Sequence, residues 1–113
     1  MKICYVAGPI TGIDDYKRPF DAAQRWLEAA GFVVLNPSFL PIGLRSHESY
    51  MKICIPMLHE ADGIALLPGW KNSKGAVMER DEAMRLGLPV YEVEFDDYCR
   101  CQSLKLIKER RCD

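Results

Sequence analysis

Apolar positions along the chain fall into two alternating kinds of run. Residues 2–7 (KICYVA), 32–35 (FVVL), 63–67 (GIALL) and 88–93 (LPVYEV) are short and nearly continuous. Runs of this kind, bounded by glycine, proline or asparagine, fit buried strands of a parallel sheet. Between them, apolar residues recur every three or four positions, the period of a helix with one buried face. Phe20, Ala23, Leu27 and Ala30 make the first stripe, closed by Gly31. Asp14 or Asp15 is the expected cap at its start. Tyr50, Cys54, Met57, Leu58 and Ala61 make a second stripe over residues 49–61. Pro56 is predicted to kink that helix or delay its start. Residues 75–86 make a third, closed by Gly87.

Strand and helix therefore alternate through residue 93. This predicts an α/β fold, a Rossmann-like three-layer sandwich with a mostly parallel sheet of four to five strands. Residues 94–113 differ. Asp96 and Asp97 are followed by Leu104, Leu106 and Ile107 among Lys105, Lys108, Arg110 and Arg111. A short helix or frayed tail is expected there, beyond a domain of residues 1–93.

Length and charge narrow the field. A chain of 113 residues is one domain. With 49% hydrophobic and 27% charged residues it can build a core without disulfides. The net charge of −1 gives no basic field for nucleic acid or an anionic membrane. No apolar run approaches the about 20 residues of a membrane span. The segment before Gly8-Pro9 is too short for a signal peptide. The five cysteines, Cys4, Cys54, Cys99, Cys101 and Cys112, are odd in number and scattered. That fits free thiols in a reducing cytoplasm. Cys99, Cys101 and Cys112 lack zinc spacing, so no metal is expected.

In an open parallel sheet, ligands bind beyond the carboxyl ends of the strands. Gly8–Gly12, Asn36–Ser38 and Pro68–Gly75 fall there. None is a G-x-G-x-x-G or Walker loop. Ser73 stands two residues before a helix starting near Gly75. Its hydroxyl and the free N–H groups would cradle a phosphate, reinforced by Lys71 and Lys74. Trp70 offers a flat face to a base or sugar; Asn36, at a strand end, reads as a turn residue or as a ribose or base contact. Helical spacing puts Glu79 on the apolar arc with Ala76, Ala83 and Leu86. The nearby helix N-terminus would favour its ionised form. A carboxylate there needs a task or a partner; a catalytic role, a buried cap and a pairing with Arg80 all satisfy the spacing.

One combination of residues is distinctive. It comprises Tyr5-Val6-Ala7-Gly8-Pro9-Ile10-Thr11-Gly12, Asn36-Pro37, Ala61-Asp62, Leu67-Pro68-Gly69-Trp70, Ser73-Lys74-Gly75-Ala76 and Glu79. It resembles a small bacterial and phage family of nucleoside 2-deoxyribosyltransferase-like domains, over residues 1–93. More distantly the chain is similar to the deoxyribosyltransferases and the 2′-deoxynucleoside 5′-monophosphate N-glycosidases. The resemblance implies a flavodoxin-like fold and N-glycosidic chemistry on a nucleoside or nucleotide. Glu79 matches the nucleophile and Tyr5 the tyrosine that orients it. Gly8, Pro9, Thr11, Asn36, Trp70, Ser73 and Gly75 would line the substrate site. Ser73 falls where the hydrolases hold a 5′-phosphate. No cofactor is implied, and a homodimer or larger homo-oligomer is expected.

The chain also departs from that pattern. Both enzyme groups carry an aspartate eight residues before the one matching Asp62, where it serves the leaving base; here that residue is Cys54. A serine and an arginine of the hydrolases' first loop read Pro9 and Thr11 here. His47, Glu48, Glu60 and Asp62 are the candidates for a substitute acid. A second reading follows: a non-catalytic nucleotide-binding module using the same pocket. A third is an interaction protein that docks through the basic C-terminal segment. Trp26 reads as helix packing, His59 as surface, and Met51, Met57, Met78 and Met84 as filler of the core or an interface.

Overall fold

The computed structural model describes residues 2–41, 43–95 and 101–108. Strand β1 (Ile3–Ala7) leads to helix α1 (Lys17–Ala29) and β2 (Val33–Leu35). A 3-10 turn (Pro37–Phe39) precedes α2 (His47–His59) and β3 (Gly63–Leu66). A second 3-10 turn (Trp70–Asn72) precedes α3 (Lys74–Arg85), β4 (Val90–Phe95) and β5 (Cys101–Lys108). The strands lie in the order β2-β1-β3-β4-β5. The first four are parallel, with Tyr5 opposite Leu35 on one side and Ile64 on the other. This is the flavodoxin-like arrangement, whose direction of winding reverses between β1 and β3.

Side chains of the parallel strands divide between two cores. Cys4, Val6, Ala65, Leu67 and Val93 pack against Phe20, Ala23 and Leu27 of α1, with Trp26 partly buried beside them. Tyr5, Ala7, Ile64, Leu66 and Val90 pack against Cys54 and Leu58 of α2 and Ala76 and Ala83 of α3. The layers are therefore α1, sheet, and α2 with α3. The thiol of Cys4, fully buried beneath α1, is pushed up to about 12 by burial and is chemically quiet.

Three local expectations change. Neither Asp14 nor Asp15 caps α1; Tyr16 occupies the cap position without a side-chain bond. Asp15 adopts φ +53°, a left-handed conformation that aspartate tolerates, and the chain turns there before the helix starts. α2 begins at His47, capped by the Ser46 hydroxyl, which accepts from the Ser49 N–H at 3.2 Å. It runs on through the exposed Pro56 instead of starting late. Residues 101–108 form a strand, not a helix or frayed tail. They pair antiparallel with β4, Leu104 opposite Val93 and Leu106 opposite Tyr91. The period-two alternation of Leu104, Lys105 and Leu106 meets the open edge of β4, whose backbone groups need partners. Asp96, Asp97, Cys99, Arg110, Arg111 and Cys112 lie outside the described residues, as do the side chains of Cys101, Lys105 and Lys108. No helix among the described residues is long and apolar enough to cross a membrane.

Candidate functional site

The carboxyl ends of β1 and β3 meet closely at the point where the winding reverses. A Cβ on Gly8 would stand 2.8 Å from Leu67 Cβ, so only glycine fits there. Gly69, at φ +86°, turns the chain after β3 and comes to rest against Pro9. Gly8, Pro9 and the 67–75 segment are thus brought together, and Thr11 stands exposed in the loop above.

Beneath this junction lies a buried polar cluster. Tyr5 projects from β1 on the α2–α3 face and is fully buried. Glu79 projects from α3 toward it and is 6% exposed, on the face shared with Ala76 and Ala83. The Tyr5 hydroxyl donates to Glu79 Oε2. Cys54 of α2 is buried in the same core cluster. Among the described residues no cation pairs with Glu79. Burial pushes its carboxyl from the ordinary 4.5 up to about 7, against the Tyr5 hydrogen bond, which pulls it down. The helix N-terminus, expected to keep Glu79 ionised, is outweighed: Glu79 is the sixth residue of α3, past the turn where that field acts. Burial, and then the facing carboxylate, hold the Tyr5 hydroxyl well above its ordinary range, so it remains a donor. Burial likewise raises Cys54.

Arg80 does not pair with Glu79. Its guanidinium lies over the Trp70 ring at 5.2 Å from the centroid, and its Nε is 3.1 Å from Asp81 Oδ1. A pairing of Glu79 with Arg80 is therefore set aside. Trp70 itself is buried, 7% exposed, and Lys71 Nζ also lies over its ring at 5.8 Å. It belongs to the core rather than offering a free face to a base. Asn36 is also occupied. Its Nδ2 donates to Gln24 Oε1 at 2.8 Å and Asp21 Oδ1 at 3.2 Å, and its Oδ1 accepts from the Ser38 N–H. It ties the end of β2 to α1 instead of standing ready for a ribose. Ser73 caps α3, accepting from the Ala76 N–H at 3.2 Å. The N–H groups of the first turn surround it.

The four candidate acids separate clearly. Asp62 Oδ2 accepts from the Ile3 N–H at 2.8 Å, at the amino ends of β1 and β3. Glu60 ends α2 at that same far end. Glu48 and His47 open α2 at the carboxyl end of the sheet, and both are exposed. His47 reaches α3: a Cβ on Gly75 would stand 3.2 Å from its Cε1. His59 stays on the surface, 2.5 Å from Glu82 Oε2.

A groove of about 370 Å³ lies elsewhere, at the start of α1, lined by Asp15, Tyr16, Lys17, Leu40 and Pro41. Sequence reasoning passed over Tyr16, Leu40 and Pro41. The punctuation around them signals loops, and nothing local shows that two loops distant in sequence enclose one space.

The structure is an α/β fold with a buried Tyr5–Glu79 pair on the α2–α3 side of the sheet, below the β1–β3 reversal. Residues 1–92 match the family model described as Domain of unknown function (DUF4406), and the chain belongs to that family. No curated protein matches it.

Proposed function

We propose that the chain cleaves, or transfers across, the N-glycosidic bond of a nucleoside or nucleoside 5′-monophosphate, with Glu79 as nucleophile. One observation carries this reading: a buried glutamate, held by a tyrosine hydroxyl at the ligand mouth, with no cation paired to it among the described residues. A structural carboxylate so buried would ordinarily have a countercharge. One meant to meet positive charge developing at a sugar C1′ has a reason to lack it. The resemblance of Tyr5, Gly75 and Glu79 to the deoxyribosyltransferase pattern points the same way.

In this mechanism the carboxylate attacks C1′ and forms a glycosyl-enzyme. Water or a second base then takes the sugar with net retention. Tyr5 orients the attacking oxygen. Ser73 and the α3 N-terminus receive a 5′-phosphate. The proposed ligand is a small molecule, without a metal or cofactor. A homodimer is the proposed assembly, with Phe39, 66% exposed, as apolar surface for the contact.

The test is base release, by chromatography, from ribo- and deoxyribonucleosides and their 5′-monophosphates. Free base from wild type and none from Glu79→Ala supports the proposal. Equal release by both removes Glu79 as nucleophile. Cys54 at the position of the acid favours the second reading, a nucleotide-binding module without turnover. That reading gains if wild type releases no base while panel compounds raise its melting temperature.

A further inference from the structure

We propose that His47 donates the proton to the departing base, an inference that rests on the glycosidic reading above. Three observations lead to it. First, the residue at the expected acid position is a buried thiol that burial makes still less acidic, Cys54, and a thiol is a poor general acid. Second, two of the remaining candidates, Glu60 and Asp62, stand at the opposite end of the sheet. Third, α2 and α3 both start at the mouth, and the His47 ring lies over Gly75. Gly75 is four residues before Glu79, so the two share one face of α3, one turn apart. The missing side chain at Gly75 leaves room for the imidazole and for the Met51 sulfur beside it, which would stand 3.5 Å from the same Cβ. On α2, His47 precedes Cys54 by seven residues, two turns on the same face. Glu48, its neighbour, is turned about 100° away around the helix. The nucleophile thus lies at the floor of the mouth and the imidazole at its rim. A nucleoside between them would set C1′ low and its base high.

The chemistry balances. A Glu79 oxygen forms a bond to C1′ as the C1′–N bond breaks and its electron pair moves to the base nitrogen. The imidazolium gives that nitrogen its proton. Neutral His47 then takes a proton from water as the water oxygen attacks C1′ and the Glu79 carboxylate departs. The products are free base and sugar, with His47 returned to its protonated form. Imidazole suits both halves because a ring nitrogen can give a proton in one step and accept one in the next.

The test varies the need for that proton. Guanosine 5′-monophosphate and its 2′-deoxy form are compared with their N7-methyl derivatives, whose cationic base leaves without protonation. His47→Gln should slow the unmethylated substrates by about 100-fold or more, within the ordinary range for general-acid catalysis. It should slow the N7-methyl substrates at least tenfold less. Glu79→Ala should lose both. Equal losses on the two kinds of substrate, or none, overturn the role of His47 while leaving Glu79 in place. Wild-type cleavage of the N7-methyl substrates alone also overturns it, since no acid would then be at work. Release from neither kind by wild type removes the glycosidic reading, and the proton donor with it. Because His47 is exposed, an unchanged melting temperature for His47→Gln is the check that the variant folds.

Discussion

Two glutamates three residues apart on α3 live in opposite worlds. Glu79 faces the sheet, is almost wholly buried, and has a tyrosine hydroxyl and, among the described residues, no cation. Glu82 faces outward, with a bidentate Arg85 at 2.7 and 2.6 Å and His59 of α2 at 2.5 Å. Burial pushes the first up to about 7. Hydrogen bonds from Arg85, and then His59, pull the second down to about 2. The same side chain on the same helix is thus kept ready to change its charge state at one position and locked as an anion at the other. The contrast separates a buried carboxyl able to take up a proton near neutral pH from one placed to join two helices.

The largest expected effect comes from removing the inward member. Glu79→Ala should lower base release by about a thousandfold or more, as loss of a nucleophile does, read by the same chromatographic assay. Glu82→Gln should leave it within about twofold. If both variants lose activity alike, the contrast does not mark the site.

Stability should move the other way. The Glu79 carboxyl is raised on folding, so its neutral form is favoured in the native state. The stability linked to it is complete below about 4.5 and is lost as pH rises through about 7. Glu79→Gln, which cannot ionise, should therefore gain up to about 3 kcal/mol over wild type at pH 8.5, and little at pH 4.5. Urea unfolding at the two pH values reads this directly. A gain independent of pH would mean that Glu79 is not the group responsible.

Tyr5→Phe tests what holds Glu79. It removes a buried hydrogen bond to a carboxylate, a loss of roughly 1.5–3 kcal/mol. It should also move the acidic limb of the rate profile upward, because the bond now lowers the Glu79 pKa. An unchanged limb would separate Tyr5 from the charge state of Glu79.

The outward pair gives the smallest effect. Glu82→Gln should cost about 0.5–1 kcal/mol, the range of exposed ion pairs, and less in high salt. Its depressed pKa places that contribution above about pH 4.5, lost as pH falls toward about 2. Thermal melts at pH 7 and pH 2.5 distinguish this from a loss at all pH values.

The path from sequence to site was uneven for physical reasons. Periodicity alone put Glu79 with Ala76 and Ala83, and they do share the buried face. Strand and helix alternation likewise foretold the parallel sheet. Trp70 sits in a glycine-rich loop, and nothing local signals that Arg80 folds over its ring. Asn36 reads as a strand-end turn residue or a ribose contact, and its partners Asp21 and Gln24 come from another helix, which local pattern does not show. His47 is legible only as one of four candidate acids: its place against α3 depends on two helices starting side by side and on a missing methyl at Gly75. Local pattern reports which way a residue faces its own element. It is silent on what a distant element brings to that face.

The C-terminal strand bears on a different property. β5 lies beyond the residues matched by the family model and pairs along the outer side of β4. Without it, β4 would present an open ladder of donors and acceptors to any passing chain. At the other margin β2 is only three residues long, a poor template for a newcomer. The sheet is therefore closed to templated growth on one flank by pairing and on the other by brevity, a defence against fibrous self-association.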